Sequence, residues 1–120
     1  EVAPRAHNSG HHTIEACLTS QFENQLRVCL DLPLGLTDLQ GYALTANLVG
    51  EAGYDGRPVI EGLDEFTKIA NSHIHLYGKD ECRPGRKMGH FTLVGDDHNE
   101  LIRRLASIRD VLIVRGDTPQ

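Results

Sequence analysis

The chain has 120 residues, 39% of them hydrophobic, and its 17 acidic and 12 basic side chains give a formal net charge of −5. That length suits one domain able to bury about two-thirds of the surface its unfolded chain exposes. The negative balance excludes a general nucleic-acid coat or a membrane-surface protein, both of which need a positive field over much of the surface, and no apolar run approaches the ~20 residues of a membrane span.

"EVAPRAHNSGHH" opens the chain without Met and with polar residues first, as in a polypeptide cut from something longer; it has neither the basic start nor the apolar middle of a signal peptide. Pro4, Asn8, Ser9 and Gly10 break both periodicities, so residues 1–15 read as extended chain running into a loop. "SQFE" is a capping box, with Ser20 as N-cap and Glu23 reaching back; Phe22, Leu26, Cys29 and Leu30 form the apolar face of the helix it starts. Leu32-Pro33 and Gly35 end that helix, and "YALTANLVG" (42–50) reads as a strand.

A turn-rich patch, "EAGYDGRP", precedes a short helix carrying Leu63, Phe66 and Ile69, with Asn71 past its end. "HIHLY" (73–77) and "MGHFTLVG" (88–95) alternate as strands, the first with His73, His75 and Tyr77 on one face. Asp97 caps a last helix with Leu101, Ile102, Leu105 and Ile108 inward, and "VLIVRGDTPQ" fades from apolar to polar. The expected fold class is α+β, a small antiparallel sheet with about three helices.

The segment joining the second and third strands, "HLYGKDECRPGRKMGHF", gathers Lys79, Arg83, Arg86 and Lys87 against Asp80 and Glu81, a local excess of two positive charges in an acidic chain. Arg matches phosphate with a planar fork of donors, Lys acts as a point charge, and glycines let backbone N–H groups approach an anion. A solvated hairpin end with salt-bridged charges accounts for the same composition. Gly78, Gly85 and Gly89 lead us to expect a mobile loop.

His7, His11 and His12, with His73 and His75, invite a metal reading, but no cysteine is spaced to join them, and hydrogen bonding in place accounts for them equally. Glu1 could hold Mg²⁺ and Arg5 a small anion. Cys82 lies beside Arg83 without an evident base, so it reads as a spectator. Three cysteines without a CxxC pair suit a reducing compartment, and the expected location is the cytoplasm.

"APRxHNSGHxT", "SQFENxLR", "LPLG", "NLVGE" and "HLYGKxxxRPGRKMGH", in this order and spacing, resemble the C-terminal part of the 5-(carboxyamino)imidazole ribonucleotide synthase family. These ATP-grasp enzymes are also called the ATPase subunit of phosphoribosylaminoimidazole carboxylase. The resemblance implies that residues 1–15 are the last segment of an ATP-grasp active site and that 16–120 form the C-terminal domain of a longer, homodimeric parent. It implies purine biosynthesis: ATP and bicarbonate give carboxyphosphate, which carboxylates 5-aminoimidazole ribonucleotide.

On this resemblance Glu1 would serve Mg²⁺ and Arg5 the bicarbonate or carboxyphosphate. His7 and Asn8 would contact the ribonucleotide, while Lys79, Arg83, Arg86 and Lys87 would bind its 5′-phosphate. ATP and Mg²⁺ belong to the full-length enzyme, none is expected on this stretch alone, and the stretch alone is expected to be inactive. Alternatives are another ATP-grasp purine enzyme, similar to the formate-dependent glycinamide ribonucleotide transformylase, or a non-catalytic module binding phosphate or a protein partner.

Overall fold

Two antiparallel sheets organise the chain. In the computed structural model, which describes residues 2–120, the first sheet has the order β1-β4-β3, built from Tyr42–Val49, Lys87–Gly95 and Ser72–Leu76. The second pairs β2 (Tyr54–Glu61) with β5 (Ile113–Pro119). The two meet at Gly50, which forms a parallel bridge to Val114, and through Glu51 N–H, which donates to the Val114 carbonyl at 2.8 Å. Helices α1 (Thr13–Ala16), α2 (Gln21–Cys29), α3 (Leu63–Thr67) and α4 (His98–Ile108) complete the α+β fold.

The three-stranded sheet has one apolar and one polar face. On the apolar side Phe91 and Leu93 pack with Leu48, with Phe66 of α3 and with Leu101 and Ile108 of α4, all buried. Phe66 and Phe91 meet edge to face at 5.5 Å, a geometry the aromatic quadrupole favours. On the polar side Thr45 and Thr92 join across strands at 2.9 Å, and His90 faces His75 in register. Residues 11–19 cover this face, with Ala16 wholly buried and its carbonyl accepting from Gln40 N–H at 2.7 Å.

Several local expectations change. Ser20 caps α2, its Oγ accepting from Glu23 N–H at 3.1 Å, but the Glu23 carboxylate turns to Arg27 one turn on, at 2.6 Å, instead of closing the box. The helix ends at Cys29, before Leu32-Pro33, because Asp31 adopts a left-handed φ of 55°. Leu32 N–H then reaches the Arg27 carbonyl at 2.8 Å and Asp31 N–H that of Val28 at 3.2 Å, the paired bonds of a Schellman cap. None of α2 is buried: Leu26 and Leu30 remain more than 60% exposed. Its predicted apolar face is therefore not part of this core.

Of the patch read as turns, residues 52–53 turn, and from Tyr54 on it is strand β2. Gly56, at φ 103°, and Pro58 interrupt its pattern, and the register with β5 slips between Asp55 and Pro58. Within residues 1–15, read as extended chain running into a loop, lie a 3₁₀ turn at Asn8–Gly10 and most of the single turn of α1, Thr13–Ala16.

Candidate functional site

The turn bearing His7 and Asn8 is held from two sides. His7 precedes the 3₁₀ turn, and its Nδ1 accepts from Ser9 N–H at 3.2 Å. A backbone N–H can only donate, so the His7 proton lies on Nε2. Gln21 grips the same peptide, its amide nitrogen donating to the His7 carbonyl and its Oε1 accepting from His7 N–H at 3.4 Å. Gly10 permits this, since a Cβ there would overlap the Gln21 amide. Asn8 closes the turn by accepting from His11 N–H at 3.2 Å.

On the other side His11 lies flat on His90, ring centroids 4.0 Å apart, and His90 in turn on His75 at 4.6 Å. Tyr77 Oη is 2.9 Å from His90 Nδ1, and His75 Nε2 is 2.5 Å from Glu15 Oε1. Burial pushes the His90 imidazole down to about 4, and nearby His11 and His75 add to the effect. Burial also lowers His11, with electrostatic effects of His75, Lys87 and His7 in the same direction and of Glu15 opposing. Tyr77 is raised by its own burial.

The basic loop reaches this cluster from the opposite direction. Lys79 lies over the Tyr77 ring, 5.7 Å from its centroid, and donates to the Lys87 carbonyl at 2.5 Å. Lys87 and His7 both act electrostatically on His11. The geometric link between the turn and the loop is the edge-on contact of His11 with Tyr77, ring centroids 6.3 Å apart, with Lys79 over the Tyr77 ring. Arg83 and Arg86 are engaged elsewhere, each 3.3 Å from Glu81 Oε2, as the salt-bridged hairpin reading expected. Arg5 is exposed and lines, with His7 and Ser9, an open cavity of about 420 Å³.

Backbone hydrogen bonds tie the loop to the rest of the fold. Gly50 N–H donates to the Arg86 carbonyl at 2.8 Å, Gly85 N–H to that of Gly50 at 2.9 Å, and Cys82 N–H to that of Gly56 at 2.7 Å. Cys82 is wholly buried, and burial raises its thiol above the ordinary value, with Arg86 opposing. It anchors the loop to the core and is not a nucleophile.

Glu1, the expected Mg²⁺ ligand, lies outside the described residues. Among the described residues no group of three His, Cys, Asp or Glu side chains could hold a metal ion. Sequence reasoning missed the partnership of His11, His90 and Glu15. The period-2 placement of His75 and Tyr77 was a usable signal, but pairing with His90 required the register of β3 with β4.

The profile of the family described as "Phosphoribosylaminoimidazole carboxylase C-terminal domain" matches residues 43–104, and that of the ATP-grasp domain matches residues 1–22. An N5-carboxyaminoimidazole ribonucleotide synthase of Synechocystis is 46% identical over 98 residues, which are 81% of this chain and 25% of that protein. A phosphoribosylaminoimidazole carboxylase of Schizosaccharomyces pombe is 44% identical, over 92% of this chain and 21% of its own. The crystal structure of the N5-carboxyaminoimidazole ribonucleotide synthetase from Thermotoga maritima superposes with a TM-score of 0.91 at 49% identity, over 96% of this chain and 32% of that one. A synthase structure from Aspergillus clavatus, in complex with ADP and 5-aminoimidazole ribonucleotide, has a TM-score of 0.75 at 34% identity, over 88% and 28%. The chain thus spans about a quarter of the length of the curated relatives it matches. With just over half of its residues inside the matching profile, the chain belongs to the phosphoribosylaminoimidazole carboxylase C-terminal domain family.

Proposed function

We propose that this chain contributes part of the ribonucleotide site of an ATP-dependent carboxylating ligase that converts 5-aminoimidazole ribonucleotide and bicarbonate to N5-carboxyaminoimidazole ribonucleotide in purine biosynthesis. In the parent, ATP phosphorylates bicarbonate to carboxyphosphate. The exocyclic amine then attacks the carboxyl carbon, loses a proton and expels phosphate. Residues 1–15 form the end of the ATP-grasp active site and 16–120 the C-terminal domain; the matches at 1–22 and 43–104 support that order of parts. ATP, Mg²⁺ through Glu1, and bicarbonate belong to the complete enzyme, which is a cytoplasmic homodimer; this stretch alone does not turn over. Among the described residues no helix is long and apolar enough to cross a membrane.

The observation that supports the reading is that His11, at the end of the Asn8–Gly10 turn, stacks on His90 and meets edge-on the Tyr77 ring over which Lys79 lies. Two ammonium groups and outward imidazole and amide groups suit a phosphorylated sugar whose base carries an amine. Lys79 and Lys87 hold the 5′-phosphate, and His7 and Asn8 orient the ribose and base. Arg83 and Arg86 add to the phosphate by leaving Glu81; that exchange costs little, because exposed ion pairs contribute only about 0–1 kcal/mol. Arg5, beside His7 on the open cavity, meets the bicarbonate or carboxyphosphate.

Calorimetric titration of this chain with 5-aminoimidazole ribonucleotide, against glycinamide ribonucleotide, tests the reading. The former is expected to bind weakly but detectably, and more tightly than the latter, with Lys87→Ala abolishing the signal. Equal affinity for the two, or no binding at millimolar ligand, would refute it.

A further inference from the structure

We propose that His90 is a positioning residue for the ribonucleotide site: stacked between His11 and His75 and bonded to Tyr77, it sets the Asn8–Gly10 turn against the basic loop, and it does so only while uncharged. The proposal rests on the reading that this turn and this loop share a phosphorylated ligand.

The geometry is unusual for a purely structural position. His90 lies in the central strand of its sheet, 2% exposed, between Asn47 on β1 and His75 on β3. An apolar ring would fill that space without a polar cost, yet here an imidazole is kept with its Nε2 unpartnered; His11 Nδ1 and Glu15 Oε2 are also buried without partners. Buried polar groups are normally satisfied, and an exception calls for an explanation. The ring faces answer it in part: His11 and His90 are 23° from parallel at 4.0 Å, and His90 and His75 are 17° apart at 4.6 Å. The contact with His11 is the turn's seat on the sheet.

Such a stack tolerates little charge, since two imidazolium rings at this separation repel in a poorly hydrated site. The groups facing it are His7 before the turn, His75 from β3, Lys87 from β4 and Glu15 from α1, with Tyr77 at its edge. Only Glu15 favours protonation, and it is committed to His75 at the far end. His11 and His90 are therefore the neutral members, held below their ordinary values as described. Protonating either one would unseat His11, and with it the turn closed by Gly10 N–H to His7 O (3.0 Å) and His11 N–H to Asn8 O (3.2 Å).

The test uses this chain labelled with ¹⁵N, following amide exchange at Gly10 and His11 and the binding of ribose 5-phosphate between pH 5 and 8. In His90→Ala the two amides are expected to exchange at least tenfold faster and the sugar phosphate to bind several-fold more weakly at pH 7. In His90→Phe, whose flat ring stacks but takes no proton, protection and affinity at pH 7 are retained, and the acid release seen in the native chain shifts to lower pH. Unchanged protection in His90→Ala, or release of His90→Phe at the native pH, would overturn the proposal; if His90→Ala does not fold, His90→Phe decides alone. Failure of the native chain to bind ribose 5-phosphate would count against the shared-ligand reading, while the exchange measurements still decide whether His90 seats the turn.

Discussion

Gly50 is where the basic loop is tied to the rest of the fold, and Gly50→Ala probes that tie. A Cβ at this position would overlap the Arg83 carbonyl oxygen and stand 2.8 Å from Cys82 Sγ. Backbone cannot yield as a flexible side chain would, so the loop must move away. Two hydrogen bonds through Gly50, to Arg86 O at 2.8 Å and from Gly85 N at 2.9 Å, are then lost or stretched, at about 0.5–1.5 kcal/mol each. Crowding a wholly buried Cys82 adds a cost on the order of 1–3 kcal/mol for overpacking. The expected loss is about 2–4 kcal/mol, since part of each cost relaxes as the loop shifts. Urea denaturation measures it, with a lowered midpoint at an unchanged slope, and amide shifts should change most at 82–87. A loss under about 0.5 kcal/mol with those shifts unmoved would refute the idea that this tie fixes the loop.

Three further outcomes are expected. The His90 imidazole is near 4 in the fold against 6.5 unfolded, so between these values the unfolded chain binds a proton that the folded chain refuses. Its contribution is full above pH 6.5 and falls by about 3 kcal/mol as pH drops to about 4; His11 acts in the same direction. Denaturation midpoints across this range measure the slope, and a flat profile would contradict the buried neutral stack. Glu81→Gln removes the partner of both Arg83 and Arg86; stability should change by less than about 1 kcal/mol, while inorganic phosphate binds several-fold more tightly by calorimetry. Gly10→Ala should displace Gln21 from the His7 peptide, seen as loss of protection at the turn amides in hydrogen exchange.

Much of this was readable from local chemistry. Ser20 and Asp97 cap their helices because a short side-chain oxygen reaches the free N–H groups two or three residues on, a relation contained within four residues. The strands at 72–76 and 87–95 showed through their alternation, and that at 42–49 through its β-branched and aromatic content. The second sheet did not, because Gly56, Pro58 and Gly116 replace the β-branched residues that mark strands. At Gly116 any side chain would collide with the Asp55 backbone, so the residue that hides the strand also lets it pair.

For the site, the cations and the His7–Asn8 turn were legible as motifs. What was not legible is which partner each cation takes. Arg83 and Arg86 have the best phosphate-binding chemistry in the loop, yet both pair with Glu81. Lys79 is aimed by Tyr77 and the Lys87 carbonyl. The histidine stack depends on cross-strand register joining residues 75 and 90 and on a helical turn laid over them from sixty positions away.

The central claim is that two segments distant in sequence serve one phosphorylated ligand. Its most direct test is an NMR titration of this chain with 5-aminoimidazole ribonucleotide, following the amides of residues 8–10 and 78–87 separately. Both sets should shift and saturate with one common dissociation constant. Movement of only one set, or two sets saturating at different concentrations, would contradict it.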